Sequence, residues 1–111
     1  MKANEFSVEF QVDDLDIVVG GHTNTFLWNG AKPRYIKHEI MGQYPTVITQ
    51  PNSGNRALVV QTNGYGRYLG QLKVNFDDSG RVESWEGNPI LLNSTYPMDE
   101  TLQVIAHFLA Q

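Results

Sequence analysis

Two turn signatures, Pro51-Asn52-Ser53-Gly54 and Asp77-Asp78-Ser79-Gly80, constrain the chain most, because each sits between two runs of strand length. Proline presets φ, Asn and Asp side chains bond their own backbone, and glycine accepts the left-handed conformations that reverse a chain. Residues 44–50 enter the first turn and residues 57–62 leave it. Residues 69–76 enter the second, with Leu72, Val74 and Phe76 on one face, and residues 81–86 return. Period-two alternation around turn chemistry predicts β-hairpins. Residues 7–12 alternate as well, with Val8, Phe10 and Val12 on one face and Phe6 in phase. Residues 15–19 are nearly continuously apolar and end at Gly20-Gly21, which predicts a strand buried on both faces. Residues 89–92 add a short apolar piece. Only residues 99–110 carry helical spacing: Leu102, Ile105, Ala106 and Leu109 recur at three and four, and Asp99 is placed to cap them. The predicted class is α+β and β-rich, mostly antiparallel hairpins with one C-terminal helix.

The totals narrow the partners. The chain has 111 residues, enough for one domain with a real core. A net charge of −4 without any Lys/Arg cluster argues against nucleic-acid binding, which needs a basic face. There is no cysteine, so thiolate metal sites and disulfides are excluded. No stretch approaches the roughly 18 apolar residues of a membrane span. The first residues, Met1-Lys2-Ala3-Asn4-Glu5, lack the apolar core of a signal peptide, which places any export signal on a longer precursor.

The chemistry concentrates in Gly20-Gly21-His22-Thr23-Asn24-Thr25. An apolar strand delivers two glycines, which permit close backbone approach, then a histidine and an asparagine two residues apart. In an extended loop such residues face the same way, so His22 and Asn24 can enter one site. Neutral imidazole ligates zinc or manganese, and an amide oxygen suits a harder metal or a phosphate contact. By chemistry alone, a histidine after a glycine turn is more often just a hydrogen-bonded loop residue.

Gly20-Gly21-His22-Thr23-Asn24-Thr25-Phe26-Leu27-Trp28-Asn29-Gly30 resembles the last metal-binding motif of the 5'-nucleotidase, UDP-sugar hydrolase and apyrase family. The resemblance continues in order through Tyr44-Pro45-Thr46-Val47-Ile48-Thr49-Gln50, Val59-Val60-Gln61, Tyr65-Gly66-Arg67-Tyr68-Leu69-Gly70, Leu72-Lys73-Val74 and Gly87-Asn88-Pro89-Ile90-Leu91-Leu92-Asn93. It covers about residues 14–99 and corresponds to the last part of the family's catalytic metallophosphoesterase domain, a calcineurin-like four-layer α/β/β/α sandwich. It implies two divalent metal ions, zinc or manganese, a nucleotide monophosphate substrate, and a secreted, cell-surface or periplasmic parent. It implies His22 as a ligand of one metal, with Asn24 on the second metal or on the substrate phosphate.

The departures are as informative. The family's upstream Asp-x-His, Gly-Asp and Gly-Asn-His-Glu/Asp motifs do not occur in this chain. No catalytic residue is identified in it. Residues 1–12 do not match the family, which would lead a helix into Leu15 where this chain reads as strand. The pattern suggests one domain or fragment over residues 1–111, excised or recombined, whose partner is the missing half of the catalytic domain. The alternative is a catalytically silent module that self-associates into a homo-oligomer through strand edges.

The remaining motifs read as structural. Gly64, Gly66 and Gly70 miss the dinucleotide fingerprint and read as turn and packing positions. His38-Glu39 lacks the second histidine of a zinc-protease motif and reads as a solvated loop pair. His107 falls near the end of the predicted helix, a dipole or surface position. Packing is the simpler role for Trp28 and Trp85.

Overall fold

The computed structural model describes residues 13–111, and the strand expected over residues 7–12 lies outside them. Five strands and one helix follow in order: β1 (Ile17–Val19), β2 (Thr46–Thr49), β3 (Arg56–Val60), β4 (Tyr68–Phe76), β5 (Val82–Leu91) and α1 (Glu100–Leu109). Both turn signatures close the hairpins expected of them. β2 pairs antiparallel with β3, Thr46 opposite Val59, and β4 pairs antiparallel with β5, Tyr68 opposite Leu91. Asp77 makes the second turn by accepting from the amides of Ser79 and Arg81 at 2.9 and 3.0 Å. The returning strand at 81–86 and the apolar piece at 89–92 join in one strand that ends at Leu91, because Gly87 and Pro89 continue the ladder opposite Leu72 and Gly70.

β1 departs from its expectation. It lies parallel to β3, Val18 opposite Val59, at an edge of a three-stranded sheet ordered β1-β3-β2. It is not buried on both faces: Ile17 and Val19 are 40% and 80% exposed. The apolar run marks a strand whose outward face has no cover among the described residues.

The core gathers around residues 25–28, all buried. They form isolated bridges from Phe26 to Thr62 and from Leu27 to Gly42. Phe26, Trp28, Ile36 and Tyr68 pack together on one side, with Phe26 and Tyr68 ring centroids 4.7 Å apart. Leu27, Tyr44 and Val60 pack on the other, with Leu72 of β4 against them. Alternate residues of one short segment thus fill two cores and join the hairpin β4–β5 to the sheet.

α1 forms where its spacing predicts. Asp99 is the N-cap, its Oδ1 accepting from the Leu102 amide at 2.9 Å, with Glu100 in the first turn and His107 in the last. Glu100 matches the positive N-terminal end of the helix dipole. None of its residues is buried.

Candidate functional site

β1 ends at Gly20, whose amide donates to the Val60 carbonyl at 2.9 Å, so the next residues leave the sheet beside the end of β3. The loop is not extended. The Thr23 amide donates to the Gly21 carbonyl at 2.8 Å, a three-residue turn centred on His22. His22 has φ +69° and Asn24 φ +55°. Left-handed backbone is uncommon for residues with a Cβ and costs energy that the surroundings must offset. His22 and Asn24 therefore reach the surface by two left-handed residues with Thr23 between, and both are exposed.

Gln61 supplies the surroundings. It follows β3 immediately and is only 4% exposed. Its Oε1 accepts from the Thr25 amide at 2.6 Å and from Thr23 Oγ1 at 3.0 Å. The Thr23 and Thr25 hydroxyl oxygens lie 2.8 Å apart, closing a small network under the loop. The Thr25 carbonyl then accepts from the Asn63 amide at 2.9 Å. Gly20 eases a close approach, since a Cβ there would lie 3.2 Å from Gln61 Nε2. Gly21 meets nothing within 4 Å, so only one of the paired glycines is used for packing.

Asn24 rests on a second glycine. A Cβ on Gly64 would stand 2.5 Å from Asn24 Oδ1, so Gly64 leaves the space that the Asn24 amide fills. Asn63 Oδ1 accepts from the Gly64 amide at 2.6 Å and from Arg67 Nη1 at 3.3 Å. These contacts make residues 61–67 the floor of the 22–25 loop. In the sequence Gly64 reads as a turn and packing position, which its contact with Asn24 bears out, whereas Gln61 reads only as part of a strand and of a family-like motif. The available signal was a glutamine directly after the apolar run 57–60, where a polar side chain must find buried partners.

His38 is not a solvated loop residue. It is half-buried, its Nδ1 lies 2.5 Å from the Tyr68 hydroxyl, and its ring packs edge-on against Tyr68. Burial pushes the Tyr68 hydroxyl pKa up, against a smaller downward pull from Arg67. Trp28 is a core residue, and Trp85 lies under the Arg56 guanidinium, 5.4 Å from its centroid. His107 stays on the exposed surface of α1, near the Gln111 side chain.

Among the described residues, no three His, Cys, Asp or Glu side chains gather where they could hold an ion. His22 and Asn24 are exposed side chains of donor type on one short loop. They do not fit as a whole binuclear centre.

Comparison with known proteins follows the same lines. No family model matches the chain. It is 50% identical over 93 residues to the 5'-nucleotidase of Mus musculus and 47% identical over 93 residues to that of Bos taurus. Each match takes in 84% of this chain and 16% of the relative. A solved structure, the 5'-nucleotidase precursor of Thermus thermophilus, superposes with a TM-score of 0.67 at 30% identity, over 85% of this chain and 18% of that one. The chain is related to one segment of the 5'-nucleotidases. A match of 93 residues within 111 cannot avoid residues 19–93, so the 22–25 loop and its floor fall inside it. The resemblance to the 5'-nucleotidase family therefore holds, as does the expected β-rich class with antiparallel hairpins and one C-terminal helix. The chain spans about a sixth of the length of these mammalian relatives.

Proposed function

We propose that this chain supplies the His22–Asn24 loop of a binuclear-metal 5'-nucleotidase that hydrolyses nucleotide phosphate monoesters. The observation that carries the reading is the 50% identity to the mouse 5'-nucleotidase across a stretch that includes the loop. In this reading the chain is a segment, with residues 14–99 as its family part, and the missing half of the domain brings the other donors. His22 offers its imidazole to zinc or manganese, and Asn24 offers its amide oxygen to the second metal or to the substrate phosphate. Two such metals, when bound, supply positive charge against a developing oxyanion and an activated water. What this chain contributes is orientation: both donors stand on a loop tied to β3 through Gln61.

A second reading is a silent module that self-associates. It is favoured by the outward apolar residues Ile17 and Val19 on β1, which lies at a sheet edge. The two readings agree on ancestry and differ on what the 111-residue chain does alone.

Phosphate release from 5'-AMP with manganese, zinc or cobalt separates them. The isolated chain is expected to release none above the metal-only control. Grafted into the mouse 5'-nucleotidase in place of the matching residues, it is expected to sustain hydrolysis, and His22→Ala is expected to remove both turnover and bound metal. A graft whose metal content and hydrolysis survive His22→Ala sinks the ligand assignment. Turnover by the isolated chain that His22→Ala abolishes would show that it assembles a complete centre, against the segment reading. A sedimentation mass that rises with concentration supports self-association, and a constant monomer mass opposes it.

A further inference from the structure

We infer that Gln61 is the positioning residue of the His22–Asn24 loop: its buried side-chain carbonyl holds the two left-handed residues in the conformation that presents them. The inference deepens the proposed function and rests on it only for what the loop is presented to.

First, the loop conformation is costly by itself. Two non-glycine residues at positive φ, one at the centre of a three-residue turn, occupy sparsely populated backbone and persist only when neighbours over-determine them. Second, the fixed point is Gln61. Its Oε1 accepts from the Thr25 amide and the Thr23 hydroxyl, the residues on either side of Asn24. Two donors converging on one oxygen, one of them a backbone amide, fix Asn24 between them.

Third, the position of Gln61 is itself fixed. It directly follows β3, whose Val60 carbonyl holds the Gly20 amide, so the entry and exit of the loop are both referred to the end of one strand. At 4% exposure, water cannot easily replace Gln61, and removing the oxygen would leave the Thr25 amide buried without its acceptor. Gly20 lets the amide pack against the chain at the loop's entrance. Both contacts of the Gln61 oxygen run to residues of the loop, so Gln61 acts through the loop.

The experiment compares wild type, Gln61→Leu and Gln61→Glu in the 111-residue chain by NMR. Leucine keeps the volume and removes the acceptor; glutamate keeps the acceptor oxygen. The first readout is the intraresidue amide-to-Hα Overhauser effect at His22 and Asn24, which is strong only at positive φ. The second is hydrogen exchange at the Thr25 amide. Gln61→Leu should weaken both Overhauser effects and speed Thr25 exchange by about tenfold or more. Leu58 in β3 should stay protected, and Gln61→Glu should restore the wild-type pattern. Strong Overhauser effects and slow Thr25 exchange in Gln61→Leu would overturn the inference.

If Gln61→Leu unfolds the chain, Thr23→Val decides in its place, since it removes one of the two donors and leaves Gln61 intact. It should raise Thr25 exchange and shift the His22 and Asn24 resonances; resonances unchanged there would also overturn the inference. The metal content of the graft into the mouse 5'-nucleotidase tests the separate reading. A graft that keeps its metal in His22→Ala, while the 111-residue chain shows the clamp intact, counts against the metal role and leaves the positioning role standing.

Discussion

Residues 25–28 and helix α1 both carry large apolar side chains, yet one stretch is buried and the other exposed. Thr25, Phe26, Leu27 and Trp28 are at most 7% exposed, while Leu102, Val104, Phe108 and Leu109 are 65–77% exposed. The buried stretch has almost no regular structure and draws its order from tertiary contacts on two sides. The helix has a cap, an acidic residue in its first turn and an apolar stripe, and none of its residues is buried. A helix of ten residues is marginal without packing, since short helices in water are poorly populated. Local order and tertiary order are thus separable here, and the 22–25 loop belongs to the tertiary kind.

That contrast is open to breaking, starting with its largest consequence. Phe26→Ala should destabilise the chain by about 3–5 kcal/mol, the usual cost of emptying an aromatic site in a core, measured by denaturant unfolding. A loss below about 1 kcal/mol would mean that residues 25–28 are not the centre of the fold. Asp99→Ala should cost about 1 kcal/mol and should act locally, as faster exchange of the Leu102 amide with the sheet unaffected. Phe108→Ser should change stability by no more than about 0.5 kcal/mol, as surface substitutions do. A larger loss would show that the helix stripe is covered in solution, by a second copy or by a partner.

Alkaline titration sharpens the same division. Burial pushes the Tyr44 pKa above the ordinary tyrosine value, because the phenolate is disfavoured inside the core. With the folded value raised, the folded state holds the proton more tightly than the unfolded one. The associated stability is present below the unfolded value and is lost as pH rises above it. Thermal unfolding of wild type should therefore fall more steeply above pH 10 than that of Tyr44→Phe. Parallel curves would place the Tyr44 hydroxyl in contact with water.

Much of the framework was legible in the sequence, and for a local reason. Asp77-Asp78-Ser79-Gly80 and Pro51-Asn52-Ser53-Gly54 make their turns with their own side chains and backbone, so nothing distant was needed to predict both hairpins. Asp99 and its helix are local in the same sense. What escaped is non-local. The parallel pairing of β1 with β3 joins Ile17 to Leu58, and nothing within 15–19 announces which neighbour will lie alongside or whether a second layer covers the strand. His38 looked solvated because its partner, Tyr68, is 30 residues away. The candidate site divides likewise: His22 and Asn24 stood out as residue types, whereas Gln61 and Gly64 matter only through contacts that folding creates.

The bond from His38 to Tyr68 has a further consequence for how this chain tolerates change. Residues 29–43 would otherwise be one long irregular excursion between two core positions, Trp28 and Tyr44. Buried Ile36 and the tie at His38 pin it near its middle, so it behaves as two short loops that share an anchor. Closing each short span costs little entropy, and lengthening one leaves the other where it was. Residues inserted between 30 and 34 are thereby insulated from the strands that carry the 22–25 loop, so this arm can vary in length without moving it.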